Sequence, residues 1–366
     1  MALNQVGLER LGTQVSKKIG ASKNLIINGA MQVAQRGTSS TSNGHQTVDR
    51  YNMNSSGHDE APTQAQADVV AGTTPYTSGF RKSLKITNGN QTSGAGAADR
   101  LRILYIIEAQ DIANSGWNYT DSNSKITLSF WIKSSVAQNF YFRATTSDGT
   151  SQNFPMETGS LSADTWTKIT KTIPGNSNLA FNNDNGIGLY IIFSLFRGTD
   201  NTDPGVALNT WAATSSGTTL YPDNTSTWWT TNDSTWELTG LQLEVGSVAT
   251  EFEHRSFGEE LTRCMRYFEK VVCHSYPMAP AGNSGVNSET RIPYKVHKRA
   301  APTVTKDGDL TLTLNGVNSA NTNHSLGGGN TTAALYGIHI FAVITGANYT
   351  SSTMVNNCTF LCNCEL

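Results

Sequence analysis

Charge is scarce in this chain. Asp, Glu, Lys and Arg make up 15% of its 366 residues, where about 25% is usual, and 26 basic against 28 acidic residues leave a net charge of −2. So neutral a chain lacks the bulk electrostatics of a nucleic-acid binder. Long apolar runs are missing as well. The longest, Leu189 to Phe193 and Tyr336 to Ile344, fall far short of the ~20 residues that span a bilayer, so no membrane insertion is expected. Met1 to Gly7 shows no basic stretch leading into an apolar one, and secretion by a signal of its own is not expected. The five cysteines are an odd number, which excludes a complete intrachain disulfide framework. A reducing compartment would keep them as thiols.

Catalytic signatures are absent too. There is no G-x-S-x-G elbow, Walker-type phosphate loop, H-E-x-x-H pair or G-x-G-x-x-G turn. The expectation is a protein that is not an enzyme and needs no cofactor. One enzymatic class stays open, because glycoside cleavage needs only two carboxylates at the right separation, and Glu157, Asp200 and Asp203 are available acids.

What is present is polar and β-prone. Ser, Thr and Asn together number 114, while hydrophobic residues at 37% and 32 aromatics supply core material that disordered chains lack. In residues 1–23, Leu8, Leu11, Val15 and Ile19 recur at helical spacing on one face of a basic arm. A helix so short is marginal alone, so the arm reads either as a frayed terminus or as a docking element. From 24 to 255 the pattern turns to short alternating runs between Gly, Asn, Asp and Ser clusters. Ile126, Leu128, Phe130 and Ile132 share one parity, with Trp131 an apolar exception on the other. Leu101 to Ile107 and Ile187 to Phe193 are apolar on both parities, as in strands at the middle of a sandwich or against another subunit. In Trp236 to Val245 the apolar parity switches at Gly240, the mark of a bulge. Eight or so such strands make an antiparallel sandwich of jelly-roll type.

Residues 256–270 suggest a connector helix, with acids first and Lys270 last, which suits the helix dipole. A second β domain follows over 271–366. Its stretch from Leu310 to Cys364 contains no charged residue, and uncharged exposed edges invite aggregation, so identical neighbours are expected to cover them. Leu335 to Ile344, apolar on both parities, is the best interface candidate.

Several clusters could carry a site. Cys358, Cys362 and Cys364 share a parity with Phe360 and read as a packed stripe, their spacing matching no zinc motif. The Asx-rich turns at Asp121 to Asn123, Asn182 to Asn185 and Asp200 to Asp203 lack the terminal Glu of a calcium hand, and no metal is expected. Trp211, Tyr221, Trp228 and Trp229 lie in a Thr/Ser/Asn-rich segment, where flat rings flanked by amides and hydroxyls suit a glycan. The alternative use of those rings is to staple a long loop onto the sandwich. In the distal domain, loops 281–287 and 318–325 present Asn283, Asn287, Asn321 and Asn323 without charge, which suits neutral sugars and binding that depends little on salt.

Five blocks of sequence carry a resemblance. Asn24-Leu-Ile-Ile-Asn-Gly-Ala-Met-Gln-Val-Ala-Gln-Arg-Gly37 with Thr47-Val-Asp-Arg-Tyr51 opens the series. Lys125 to Lys133, Trp236 to Gly246 with Ala249 to Glu253, and Arg263 to Lys270 follow in order. Lys298 to Thr305 and the terminal Glu365-Leu366 close it. In this order they resemble a widespread group of tailed-phage fibre and receptor-binding proteins. The resemblance implies a virion protein, usually trimeric, with a carbohydrate-binding-like jelly roll and a distal β domain, and it transfers no binding residue. Cys362-Asn-Cys364 departs from the group's pattern, where a small residue and an acid are more usual.

The expected fold is therefore all-β: a jelly-roll β-sandwich with a short N-terminal helical arm, a linker helix and a second C-terminal β-sandwich domain. The expected function is a homotrimeric tail fibre that binds host-surface glycans for adsorption and docks to other virion proteins through its arm. A head-attached or decorative fibre and a surface depolymerase are the alternatives.

Overall fold

The computed structural model describes residues 23–214, 220–278, 287–307, 311–314, 317–320, 324–327, 336–343 and 352–366. Leu8, Leu11, Val15 and Ile19 of the expected arm lie outside them. Strands dominate as expected, and among the described residues four short α-helices interrupt them: α1 (Thr74–Thr77), α2 (Ala109–Ala113), α3 (Thr227–Thr230) and α4 (Phe257–Met265).

Twelve strands build the sandwich: β1 (Ser39–Ser40), β2 (Tyr51–Ser56), β3 (Thr63–Asp68), β4 (Lys82–Thr87), β5 (Arg100–Glu108), β6 (Lys125–Ser134), β7 (Asn139–Thr146), β8 (Gln152–Ser160), β9 (Thr167–Pro174), β10 (Ile187–Arg197), β11 (Ala212–Ala213) and β12 (Thr235–Val245). They form two antiparallel six-stranded sheets, ordered β1-β3-β4-β12-β6-β9 and β11-β8-β7-β10-β5-β2. The two-residue edge strands β1 and β11 account for part of the excess over the eight or so expected.

Period-two alternation makes the core. Ile126, Leu128, Phe130 and Ile132 of β6 are fully buried, and Phe130 meets Phe142 of β7 and Phe193 of β10 edge-on, each at 5.1 Å between ring centroids. Such edge-to-face contacts lock the two sheets in register. Trp131 faces the other way and is covered by a satellite cluster of Ala30, Val69 and Phe80. β5 and β10, apolar on both parities, are paired in the interior of the second sheet. The β12 register shifts between Thr239 and Gln242, as the parity switch required. Gly240 there has φ +65°, and a Cβ on it would lie 2.7 Å from the Phe80 ring, so glycine is obligatory.

Eight further strands follow: β13 (Phe268–Met278), β14 (Asn287–Pro293), β15 (Thr303–Asp307), β16 (Thr311–Leu314), β17 (Val317–Ala320), β18 (His324–Gly327), β19 (Gly337–Val343) and β20 (Ser352–Asn363). The long β20 pairs with β13, β15 and β16, and β19 is central in the sheet β14-β19-β18. Two expectations are corrected here. The connector helix stops at Met265, because Phe268 onward pairs with β20 from Asn363 backwards, and sheet pairing overrides helical spacing. The uncharged loop 318–325 is shorter than expected, since 318–320 belong to β17 and 324–325 to β18. Of the cysteine stripe, Phe360, Cys362 and Cys364 are buried, and the Cys358 side chain lies outside the described ones.

The two β regions meet in a polar clasp. Arg50 at φ +77° occupies the left-handed region, which costs a side-chain-bearing residue about 1 kcal/mol. Its guanidinium pairs with Glu365, donates to the Ile106 carbonyl at 2.7 Å and lies 3.4 Å from the Tyr267 ring centroid. Arg36 stacks on Phe268 and reaches both Glu365 and Asn363. Glu108 accepts two bonds from Arg266 at 2.8 Å and one from the Tyr267 hydroxyl. Asn28 donates its backbone N–H to Glu260 of α4, which also pairs with Arg255. So α4 is bound into the sandwich, whereas a simple connector was expected. Lys298 makes a buried pair with Glu269 of β13.

Arg50→Met alone should cost about 3–5 kcal/mol in urea denaturation, because it strands a buried carboxylate. Arg50→Met combined with Glu365→Leu should recover at least half of that loss; equal costs would show that packing, not charge, holds the joint. The clasp is also pH-sensitive. Burial pushes His45 down to about 4 against the pull of Glu365, so between there and its ordinary 6.5 the unfolded chain binds more protons and stability is lost as pH falls. Asp49 acts in the opposite sense: burial raises it to about 6, and its contribution is lost as pH rises from 3.8. His45→Gln should therefore gain on the parent by about 1–3 kcal/mol between pH 6.5 and 4. A constant offset across that range would contradict a buried neutral imidazole.

Candidate functional site

The outward face of the second sheet concentrates the chemistry of this chain. On β5, Leu101, Ile103, Tyr105 and Ile107 enter the core, which turns Arg100, Arg102 and Leu104 outward. On β7 the core takes Phe140, Phe142 and Ala144, leaving Tyr141, Arg143 and Thr145 outside. On β10, Tyr190, Ile192 and Ser194 point out, and a register shift between Ser194 and Phe196 sets Arg197 opposite Arg100. The pairing aligns Asn54, Arg102, Ser194, Tyr141 and Glu157 in one row across five strands. Leu104, Ile192, Arg143 and Pro155 form the next. With strands about 4.8 Å apart and a two-residue offset between the rows, Arg102 and Arg143 stand roughly 12 Å from each other, backbone to backbone.

The arginines are held in place, and their charge is not balanced. Arg102 donates through Nε to Asn54 Oδ1 at 3.1 Å, and Arg143 through Nη1 to Asn153 Oδ1 at 3.0 Å. Arg143 and Arg197 lie 5.3 and 4.9 Å from the centroid of the Tyr221 ring, whose hydroxyl donates to the Ile192 carbonyl at 3.3 Å. Cation–π contact of this kind orients a guanidinium without neutralising it. Among the described residues Arg36, Arg50, Arg255, Arg263 and Arg266 each pair with a carboxylate, and Arg100, Arg102, Arg143 and Arg197 pair with none. Arg100 Nε, Arg143 Nε, Ser194 Oγ and Arg197 Nε and Nη2 are buried without a hydrogen-bond partner. Each such group costs about 1–3 kcal/mol.

Burial pushes the Arg197 guanidinium down to about 10, against the pull of Tyr221 and with the repulsion of Arg143, Arg102 and Arg100. Arg102 is lowered for the same reasons. Both remain cations at neutral pH. Burial raises the Tyr190 and Tyr141 hydroxyls, so these rings are neutral hydrogen-bonding groups. Few acids stand nearby: Glu157 beyond Tyr141, where it accepts from Asn139 at 2.8 Å, Asp223, which accepts from Thr202 at 2.6 Å, and Asp203 in the lining of the neighbouring cavity. Beside Arg143 a cavity of about 440 Å³ opens between β8 and the loop over it, lined by Asn153, Pro155, Asp203, Val206, Thr210 and Ala212. That volume is in the range of small-ligand sites.

The structure places the expected aromatics differently from a surface platform. Trp228 and Trp229 are 0% exposed. α3 turns both inward, where Trp229 stacks on Phe196 at 5.0 Å and Trp228 donates to the Thr235 carbonyl at 3.0 Å. Neither ring can meet a sugar; they staple the loop. Tyr221 is equally buried, but its ring lies against two arginines of the site. Trp211 is half-buried against Phe154, with its indole N–H donated to Pro174 at 2.7 Å. Asn287 opens β14 opposite Val343, rather than lying in a loop. Asn283, Asn321 and Asn323 lie outside the described residues. Among the described residues no three metal-ligating side chains converge, and burial pushes the Cys362 thiol up to about 12.

Sequence reasoning missed Arg100, Arg102, Arg143, Arg197 and Tyr190. A signal existed at Arg102, which sits on the non-core parity of an otherwise apolar strand.

No protein-family model matches the chain, and no curated protein matches it. Among solved structures it is similar to the enzymatically active domain of tailspike protein 4 of bacteriophage CBA120, at 8% identity and TM-score 0.32, over 61% of this chain and 21% of that one. It is similar to the N-terminal cellulose-binding domain of Cellulomonas fimi β-1,4-glucanase C, at 10% identity and TM-score 0.28, over 60% of this chain and 99% of that one. A family 11 carbohydrate-binding module of a cellulosomal cellulase of Clostridium thermocellum matches at 12% identity and TM-score 0.25, over 60% and 98% of the two chains. At these scores the likeness carries no argument about what this chain does.

Arg100, whose Nε is buried without a partner and which faces Arg197 in register, tests the uncompensated charge. Arg100→Gln should raise stability by up to about 1 kcal/mol at ~20 mM salt, with the gain shrinking near ~500 mM as screening replaces it. A loss of stability that is independent of salt would contradict the repulsion.

Proposed function

We propose that the chain is a glycan-binding virion protein, a tail fibre that holds host-surface sugars on the arginine and tyrosine face of its second sheet. The observation that carries this reading is the outward row of Asn54, Arg102, Ser194 and Tyr141, with the partly exposed Tyr190 beside it and the cavity at Asn153. Planar amide and guanidinium donors reach sugar hydroxyls, and a ring supplies the apolar contact that a pyranose face needs. The sequence blocks that resemble tailed-phage fibre proteins support the virion assignment. A homotrimer would present three copies of the face, raising avidity without new contacts, and residues 1–23 would dock it to the tail. The reading is one of binding without catalysis.

Full-length protein should adsorb to host envelope material, and Tyr190→Ala should weaken adsorption about tenfold while leaving the unfolding midpoint within about 2 °C. Immunogold labelling should mark the tail; labelling of the head would favour the head-fibre alternative. Release of reducing sugar from the envelope would replace the binding reading with a depolymerase.

A further inference from the structure

We propose that this face selects acidic glycans, sugars bearing a carboxylate or a phosphate, with Arg102, Arg143 and Arg197 as the groups that take the anion. The inference rests on the glycan-binding reading and narrows its ligand class. Neutral sugars are recognised by amides, hydroxyls and rings, all of which the chain has in plenty without concentrating cations. Charged residues make up only 15% of the sequence, yet four arginines from three strands share one face. Elsewhere the chain places a carboxylate beside Arg36, Arg50, Arg255, Arg263 and Arg266. Arg81 and Arg299 also lack a carboxylate, but they spend their guanidinium donors on backbone carbonyls, whereas the arginines of this face leave donors unpartnered.

The free donors point the same way. Arg197 is 3% exposed and leaves Nε and Nη2 unpartnered; Arg143 is 5% exposed and leaves Nε unpartnered; Ser194 Oγ lies in the same condition between them on β10. A guanidinium fork matches the paired oxygens of a carboxylate or phosphate. The arginines are pre-set for this. The Tyr221 ring lies against Arg143 and Arg197, Asn153 and Asn54 fix Arg143 and Arg102, and none of these partners removes charge. Asn153 also lines the neighbouring cavity, so an anion on Arg143 would leave its sugar ring beside that space. Glu157, at the margin beyond Tyr141, would repel an anion that strayed along β8, and Asp203 in the cavity lining would keep the anionic end out of that space, which confines it to the arginines. Binding at this face is therefore salt-dependent, the reverse of what uncharged distal loops suggested.

Calorimetry on the full-length protein decides the matter, with four probes: an oligogalacturonate, a glycerol-phosphate oligomer, a neutral maltooligosaccharide of matching length, and inorganic phosphate. The acidic oligomers should bind at least about tenfold more tightly than the neutral one at low salt, and the preference should collapse near ~500 mM salt. Which acidic oligomer binds better identifies the anion. Arg143→Gln, Arg197→Gln and the more exposed Arg102→Gln should each lose about tenfold, with folding checked by circular dichroism, while Arg81→Gln on the opposite sheet should bind as the parent does. Equal affinity for neutral and acidic oligomers, with both lost in Tyr190→Ala, would overturn acid selection and leave the glycan site standing. Absence of binding by every oligomer, together with failure to adsorb to host envelope, would overturn both readings. Inorganic phosphate binding as tightly as the oligomers would overturn the assignment to sugars.

Discussion

The buried contact between Arg50 and Glu365 sets how the two β regions of this chain are joined. It links a residue at the start of the sandwich to the next-to-last residue of the chain. A buried ion pair returns little net stability over an apolar one of similar shape, because desolvation consumes most of the attraction. Its value here is alignment. Arg50 satisfies Glu365, the Ile106 carbonyl and the face of Tyr267 together, and only one placement of β13 and the C-terminal tail meets all three. The left-handed backbone at Arg50 is the local cost of aiming the side chain there.

The clasp also governs what the second sheet can present. Glu108, at one end of β5, is consumed by Arg266 and Tyr267 at the joint, while Arg100 stands at the other end, roughly 26 Å away along the strand. Carboxylates are thus spent at the joint and guanidinium groups remain unpaired at the far end. A chain near neutrality can in this way carry a strongly cationic face, and net charge alone says nothing of it.

Much of the architecture was legible beforehand because side-chain alternation in a strand is a local property. The parity of Ile126 to Ile132, the double apolarity of β5 and β10, and the bulge at Gly240 all follow from period two and from the steric needs of one glycine. The end of α4 was not legible, since Phe268 to Lys270 satisfies a helical stripe as well as a strand, and only pairing with β20 decides between them. The tryptophans were misleading for a related reason. A Thr/Ser/Asn-rich setting says a segment is polar, but α3 still rotates Trp228 and Trp229 under it.

From sequence alone come the β class, the alternation of buried and outward residues within each strand, the bulge and the near-neutral charge. These are set by neighbours along the chain. Tertiary structure decided the rest, because it depends on residues far apart in sequence. The pairing of β5, β10 and β7 brings Arg100, Arg102, Arg197 and Arg143 to one face. Folding of residue 221 over that face brings the Tyr221 ring against two of them. The return of the chain end to Arg50 joins the regions. Strand order and register are set by how whole sheets bury their apolar sides together, and no short window of sequence contains that information.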